Sequence, residues 1–172
     1  STKITDIGGL IELYTSVYYL EQTEIIPFVA ASWLTSKMPG NPFWPMIVGG
    51  SSSGKSEIIN SLLDMPQTFQ VSQLTENTFL SGAKTKDGDA SLLIMLGRNG
   101  VLIMKDFTSI LSMNEKTMMA LFGQLREIYD GYYTKKTGNQ KAMLTWGPGF
   151  KLTFIGGCTE QIYAIGQKFD SM

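Results

Sequence analysis

The stretch MIVGGSSSGKS, residues 46–56, decides the fold of this chain. It fits the phosphate-binding pattern G-x-x-x-x-G-K-[ST] at Gly49, Gly54, Lys55 and Ser56, between a short apolar run and a helical one. Glycines let the backbone wrap around an anion, so that successive N–H groups and the start of the next helix point at one phosphate. A chance match in a Gly/Ser surface turn is the alternative, and the flanking strand and helix signals argue against it. The sequence therefore predicts a bound nucleoside triphosphate.

This P-loop predicts a defined set of nucleotide contacts. The Lys55 ammonium is expected to reach the β and γ phosphates, and the Ser56 hydroxyl to bind Mg²⁺. The expected nucleotide-binding residues are Gly49, Gly50, Ser51, Ser52, Ser53, Gly54, Lys55, Ser56 and Glu57. The predicted ligands are therefore a nucleoside triphosphate and Mg²⁺.

Composition narrows the class of protein. The 172 residues are 43% hydrophobic and 17% charged, which is ordinary for a soluble domain with its own core. No apolar run approaches the roughly 18 residues that span a bilayer, and the N-terminus lacks the layout of a signal peptide, so we expect a cytoplasmic protein without membrane contact. One cysteine and no histidine predict no internal disulfide and no zinc or haem site. Metal binding should be limited to Mg²⁺ held by oxygen atoms.

Charge bears on the possible partners and reactions. A net charge of −1 argues against a protein that coats nucleic acid, although a local basic surface remains compatible with it. Arginine occurs only at Arg98 and Arg126. Because small-molecule kinases usually close several arginines over the transferred phosphoryl group, this scarcity argues against a P-loop phosphotransferase.

Hydrophobic periodicity predicts the order of secondary structure. Two helices are expected across residues 10–38, with a break near Thr23 and Pro27, and they end at the turn 39–42. Strands are predicted at 44–48, 68–72, 101–105 and 151–155, helices at 55–63, 90–96, 114–129 and 159–169, and a polar loop at 82–89. Strands that alternate with helices imply a parallel sheet between helical layers, with ligands at the carboxyl ends of the strands. The predicted fold class is α/β, a three-layer αβα P-loop NTPase.

A β-hairpin is predicted within residues 131–146, before the last strand. Its arms are YYT and AMLTW, and its polar tip is KKTGNQK, residues 135–141. The expected organisation is one domain, with an N-terminal helical segment at 1–42 and the P-loop core at 43–172. Because the sequence stops in a predicted helix, we expect a C-terminal lid to be missing.

The strand VLIMK leads into Asp106, which is the acid expected beside a P-loop. Such a carboxylate lies next to the phosphates and orients Mg²⁺ through water. A surface aspartate after a buried strand is the alternative. Related NTPases often carry a glutamate at the next position to polarise the attacking water, but here it is Phe107. Glu76 and Glu160 are the candidate bases within topological reach, and an exposed surface glutamate is the alternative for each.

Together these motifs resemble an AAA+ ATPase, and more narrowly the P-loop ATPases of phage and prophage replication regions. The resemblance covers nearly the whole chain and rests on GNPFWPMIVGGSSSGKSE, LTENTFLSG, IMKDFTSILSM, QLREIYDG and TFIGGCT. It implies a homo-oligomeric ring that hydrolyses ATP and acts on DNA as a motor or loader of helicase type. A small-molecule kinase and a non-hydrolysing, ATP-dependent assembly switch are the alternatives.

The resemblance implies further catalytic residues. Thr159 occupies the first sensor position, which responds to the γ-phosphate, and a helix N-cap is its alternative role. Arg126 is the first choice for an arginine finger offered to a neighbouring subunit, and a surface arginine paired with Asp130 is the alternative. Lys168 stands where other members have an arginine before Phe-Asp, which replaces a planar fork by a point charge.

The hairpin resembles the pre-sensor hairpin that lines the central pore of AAA+ helicases. This implies that Lys135, Lys136 and Lys141 contact the phosphates of a threaded DNA strand, while Tyr132 or Tyr133 stacks on bases. A solvated hairpin, with lysines that discourage edge pairing and tyrosines packed inward, is the alternative.

The N-terminal motif DIGGL, residues 6–10, is similar to the one that lies against the adenine in AAA ATPases. The likeness implies base contacts from Ile7 and Gly8. A plain helix start is the alternative.

Overall fold

The computed structural model describes residues 4–20, 22–50, 53–81, 84–85, 88–89, 91–136 and 143–163. The helices are α1 Ile7–Val17, α2 Ile25–Thr35, α3 Lys55–Asn60, α4 Leu92–Leu96, α5 Thr108–Leu111 and α6 Glu115–Tyr129. The strands are β1 Met46–Val48, β2 Thr68–Val71, β3 Lys84–Thr85, β4 Gly88–Asp89, β5 Asn99–Met104, β6 Tyr133–Lys136, β7 Met143–Trp146 and β8 Lys151–Cys158.

A four-stranded parallel sheet in the order β1-β8-β5-β2 forms the centre of the molecule. All of β8 is buried, and so is β5 except for its first residue, Asn99. Continuous burial is typical of a parallel sheet that is covered on both faces, because neither face alternates with solvent. The predicted α/β class with a parallel central sheet is confirmed.

Two apolar clusters occupy the two faces of this sheet. Ile103 and Ile155 pack with residues of α2 and α3 in one cluster. Their chain neighbours Leu102 and Phe154 pack with residues of α4 and α6 in the other. Successive side chains of a strand point to opposite faces, so each central strand contributes to both clusters. The result is the three-layer αβα arrangement expected from the sequence.

The N-terminal helices divide where the sequence predicts a break. Pro27 lies in the first turn of α2, where a missing N–H is tolerated because that group has no helical partner. Lys151 of the buried β8 anchors the other end of α2, since its Nζ donates to the carbonyls of Thr35 at 2.6 Å and Met38 at 2.9 Å. Within the described residues, no helix is both long enough and apolar enough to cross a membrane.

Several segments differ from the predicted boundaries. The strand predicted at 44–48 begins at Met46, and the helix predicted at 55–63 ends at Asn60. The last strand continues through Gly156 and Gly157 to Cys158, because these glycines allow close packing: a β-carbon at Gly157 would lie 2.5 Å from the Lys105 carbonyl oxygen. The short helix α5 follows Asp106 where no helix was predicted. The polar loop contains the two-residue antiparallel strands β3 and β4.

The predicted hairpin is present as the antiparallel pair β6 and β7, in which Tyr133 pairs with Trp146 and Lys136 with Met143. Residues 135 and 136 of the predicted tip belong to β6, and residues 137–142 lie outside the described part of the chain. Of the helix predicted at 159–169, the described part shows a helical turn at residues 161–163.

Candidate nucleotide-binding site

The carboxyl ends of three strands meet at one edge of the sheet. Val48 of β1 pairs with Cys158 of β8, and the Gly49 N–H donates to the Cys158 carbonyl at 3.2 Å. On the other side of β8, Met104 pairs with Gly156, so Asp106 follows two residues beyond that pair. Because β8 lies between β1 and β5, this edge brings together the P-loop, Asp106 and Thr159.

The P-loop is closed around its own lysine. Lys55 Nζ donates to the carbonyls of Gly49 at 2.7 Å and Gly50 at 2.6 Å, and to Ser53 Oγ at 3.0 Å. Gly54 has φ +78°, a left-handed conformation that favours glycine, directly before α3 begins. Ser51 and Ser52 lie outside the described residues.

Lys55 and Asp106 act on the same buried thiol. Cys158 is 2% exposed, and burial raises the pKa of its thiol, while the positive charge of Lys55 lowers this pKa and the negative charge of Asp106 raises it. Electrostatic effects of this kind require charges that lie near the affected group. Both charged groups therefore lie near the end of β8.

The turn that carries Asp106 is hydrogen-bonded to β8. The Phe107 N–H donates to the Gly157 carbonyl at 2.8 Å, and the Phe107 ring is buried. The Thr159 N–H donates to Thr108 Oγ1 at 3.1 Å, and the two threonine hydroxyls lie 3.3 Å apart. The exposed Asp106 is thus presented on a turn fixed at the next two positions.

Thr108 is a site residue that the sequence reasoning missed. It lies in the phrase KDFTSIL, but nothing in the sequence pairs it with Thr159, which is 51 residues away. For Thr159 the sequence leaves two roles open, a sensor of the γ-phosphate and a helix N-cap. Its hydroxyl contacts that of Thr108, and its sensor role stays a prediction.

The two candidate bases lie at different distances from the P-loop. Glu160 directly follows Thr159 and is exposed at the edge where the loop lies. Glu76 follows β2, which is three strand positions from β1, or about 14 Å at ordinary strand spacing. The Glu76 carbonyl accepts from Lys135 and, at 3.2 Å, from Gln124. Strand order therefore favours Glu160 over Glu76.

Arg126 lies in the last turn of α6. It is exposed and borders an apolar cavity of about 330 Å³. The other described residues that line this cavity are Trp44, Met46, Phe107, Phe122, Leu125, Tyr129 and Phe154. None of these belongs to the P-loop, so Arg126 as a finger stays a prediction about a neighbouring subunit. Lys168 lies outside the described residues.

The hairpin lysines are placed differently from one another. Lys135 Nζ donates to the Glu76 carbonyl and, at 2.7 Å, to Asn77 Oδ1, and burial lowers the Lys135 pKa. Lys136 is exposed, and Lys141 lies outside the described residues. Tyr133 is 6% exposed whereas Tyr132 is 47% exposed, so of these two tyrosines Tyr133 is the one that packs inward.

The DIGGL motif begins a helix. Asp6 Oδ1 accepts from the Gly9 N–H at 2.8 Å and caps α1, which starts at Ile7. The other end of α1 reaches the P-loop, where Tyr18 lines a cavity with residues 53–57. Ile7 is ten residues before the end of the helix, roughly 15 Å along its axis. The structure does not bring Ile7 and Gly8 to this cavity, and the sequence offered no signal for Tyr18.

The parallel sheet, the loop after β1 and the acid after β5 define the fold of a P-loop NTPase. A crystal structure of NtrX from Brucella abortus in complex with ADP is similar, with a TM-score of 0.51 and 13% sequence identity. The match covers 92% of this chain and 36% of that one, so the chain spans about a third of the protein it resembles. At this identity the likeness shows the fold alone. The sequence matches no protein-family model and no curated protein.

Proposed function

We propose that this chain is an AAA+ ATPase that binds ATP with Mg²⁺, hydrolyses it and acts on DNA as a motor or loader in phage or mobile-element replication. The observation that carries the proposal is the convergence of the P-loop after β1 and of Asp106 after β5 at one edge of the sheet, on either side of β8. The ADP bound to the structural neighbour supports a nucleotide as the ligand.

The donor set at this edge fits Mg²⁺. Ser56 and Asp106 are both exposed and offer a hydroxyl and a carboxylate, and oxygen is the ligand that this ion prefers. When bound, the ion neutralises charge on the β and γ phosphate oxygens. Ser56 would bind it directly, and Asp106 would orient its water ligands.

The remaining residues have separate tasks in this proposal. Lys55 exchanges its carbonyl and hydroxyl acceptors for phosphate oxygens, and Thr108 holds Thr159 near the γ-phosphate. Glu160 is the candidate that positions the attacking water, because Phe107 is buried and bears no carboxylate. Arg126 supplies positive charge to the site of a neighbouring subunit in a ring.

For the DNA, the exposed residues of the hairpin are the proposed contacts. Lys136 and the predicted tip residue Lys141 would bind phosphates, and Tyr132 would stack on bases. Lys135 is held by Glu76 and Asn77 and would contribute charge without a direct contact.

A phosphate-release assay tests this function. We expect phosphate release that needs Mg²⁺. The turnover per chain should rise with protein concentration and increase when single-stranded DNA is added. Lys55→Ala should remove nearly all of it, while Lys116→Ala, which changes an exposed lysine of α6, should leave it unchanged. A turnover per chain that is indifferent to both DNA and protein concentration would contradict the motor function. Rapid phosphorylation of one small acceptor would favour a small-molecule kinase.

A second function, an ATP-dependent assembly switch, is favoured by Phe107. The position that holds a glutamate in many related NTPases is here an aromatic ring packed near Phe122 and Phe154. A protein that binds ATP but never releases phosphate, even with DNA, would support the switch over the motor.

A further inference from the structure

A cavity of about 290 Å³ opens beside the P-loop. One side is formed by Ser53 and Gly54 of the loop and by Lys55, Ser56 and Glu57 of the first turn of α3. Among the described residues that line it, only Tyr18 comes from another part of the chain. The cavity therefore joins phosphate-binding groups to one aromatic ring.

The segment that carries Tyr18 is packed directly against the P-loop. Tyr18 ends α1 in an extended conformation, and its N–H donates to the Tyr14 carbonyl at 2.8 Å. Two residues later, Leu20 Cδ2 lies 3.1 Å from the point where a β-carbon at Gly54 would be. These contacts fix the tyrosine beside the loop.

The Tyr18 ring still has free surface. It is 38% exposed although it lies 6.3 Å, between ring centroids, from the ring of Tyr14. An aromatic face of this kind stacks on nucleobases, and stacking is worth about 1–3 kcal/mol per base. Tyr18 is therefore placed to contact a ligand that fills the cavity.

We propose that Tyr18 is the stacking surface for the nucleobase of the nucleotide held by the P-loop, an inference that rests on the proposed function. The cavity is at the lower limit of the roughly 300–1,000 Å³ of small-molecule pockets, so it accepts part of a nucleotide. Lys55 and Ser56 bind the phosphates, and the base then meets Tyr18. This assigns base contact to the end of α1 in place of Ile7 and Gly8 at its start.

Stacking uses the π-face that every base has. Tyr18 should therefore add affinity for any nucleoside triphosphate without selecting adenine over guanine. Its hydroxyl should matter little, because the ring supplies the contact.

The test compares ATP, GTP and inorganic tripolyphosphate, each with Mg²⁺, by calorimetric titration of the whole chain. Tyr18→Ala should weaken ATP and GTP by about 5- to 100-fold and leave tripolyphosphate within about 2-fold. Tyr18→Phe should bind ATP as the wild type does. Tyr19→Ala is the matched control, since the neighbouring tyrosine is 90% exposed, and it should change nothing. If Tyr18→Ala unfolds, Tyr18→Leu keeps apolar bulk without a ring and is expected to give the same result.

Equal weakening of ATP and tripolyphosphate would make Tyr18 a packing residue of the loop and overturn the inference. Unchanged ATP affinity in Tyr18→Ala would overturn it as well, and so would a wild type that binds ATP no better than tripolyphosphate. In each of these cases the phosphate site stands. A wild-type protein that binds neither ATP nor tripolyphosphate would instead refute the proposed function, and the inference with it.

Discussion

The side chain of Lys55 and the turn that carries Asp106 lie at the same edge of the sheet but have different kinds of hydrogen-bond partner. The turn is bonded to another element, through Phe107 to Gly157 and through Thr108 to Thr159. Lys55, in contrast, is bonded to its own loop at Gly49, Gly50 and Ser53.

Because of this difference, nucleotide binding has a different energetic cost at Lys55 than at Asp106. An ammonium has three N–H donors, and the three acceptors of Lys55 lie at 2.6–3.0 Å, so a phosphate must replace bonds that already exist. The acid needs no such exchange, because its turn is set by β8. We therefore expect the lysine side to determine whether a nucleotide binds and the acid side to determine how the metal and the sensor are aligned.

Removal of the lysine should have the largest effect. Lys55→Ala deletes the positive charge proposed to face the β and γ phosphates, so phosphate release should fall by on the order of 10²–10³, as it does when one transition-state donor is lost. A steady-state assay at saturating ATP measures this. Lys116→Ala controls for the loss of an exposed lysine, and a loss of less than tenfold in Lys55→Ala would show that the loop does not carry the chemistry.

Neutralising the acid should change the metal dependence. Asp106→Asn keeps the shape of the side chain but removes the charge that orients the water ligands of Mg²⁺, so the Mg²⁺ concentration for half-maximal activity should rise about 10- to 100-fold. A titration of activity with Mg²⁺ measures it. Asp64→Asn, at an exposed aspartate after α3, is the control, and an equal shift there would mean that the effect is not specific to Asp106.

The link between turn and sensor should contribute less. Thr108→Val removes the hydroxyl that accepts from the Thr159 N–H, a bond with a net value of about 0.5–1.5 kcal/mol, so turnover should fall roughly 2- to 10-fold. Thr108→Ser keeps the hydroxyl and should restore turnover, with ATP affinity unchanged in both. Thr145→Val, at an exposed threonine of β7, is the control. If Thr108→Ser is as slow as Thr108→Val, the hydroxyl is not the cause.

The fold was largely predictable because its signals are local. The apolar run before Asp106 and the glycine-rich loop before α3 each report a strand or a turn within a few residues. Where the prediction was wrong, a distant contact decided the outcome. Gly156 and Gly157 would ordinarily end a strand, but β8 continues through them because neighbouring strands approach closely at these positions.

The site was predictable only in part for the same reason. Lys55 and Asp106 stand in motifs whose spacing reflects their chemistry, and the structure brings them to one edge. The roles proposed for Thr108 and Tyr18 depend on partners that are distant in sequence, so neither residue is marked by a motif. Lys135 is the opposite case. Its place in a basic hairpin tip predicts a free side chain, whereas in the structure it is bonded to Glu76 and Asn77.

The contrast between hydrogen-bonded and exposed side chains extends to the two described lysines of the hairpin, where it predicts the smallest effect. Lys136 is exposed, so Lys136→Ala should remove one phosphate contact and reduce the slope of log affinity for single-stranded DNA against log salt by about 1. Lys135 already donates to Asn77, so Lys135→Ala should leave this slope nearly unchanged and lower the melting temperature instead. Fluorescence anisotropy at several salt concentrations measures the slopes. Equal slopes for the two variants would show that the bonds of Lys135 break when DNA binds, and that the two lysines are equivalent after all.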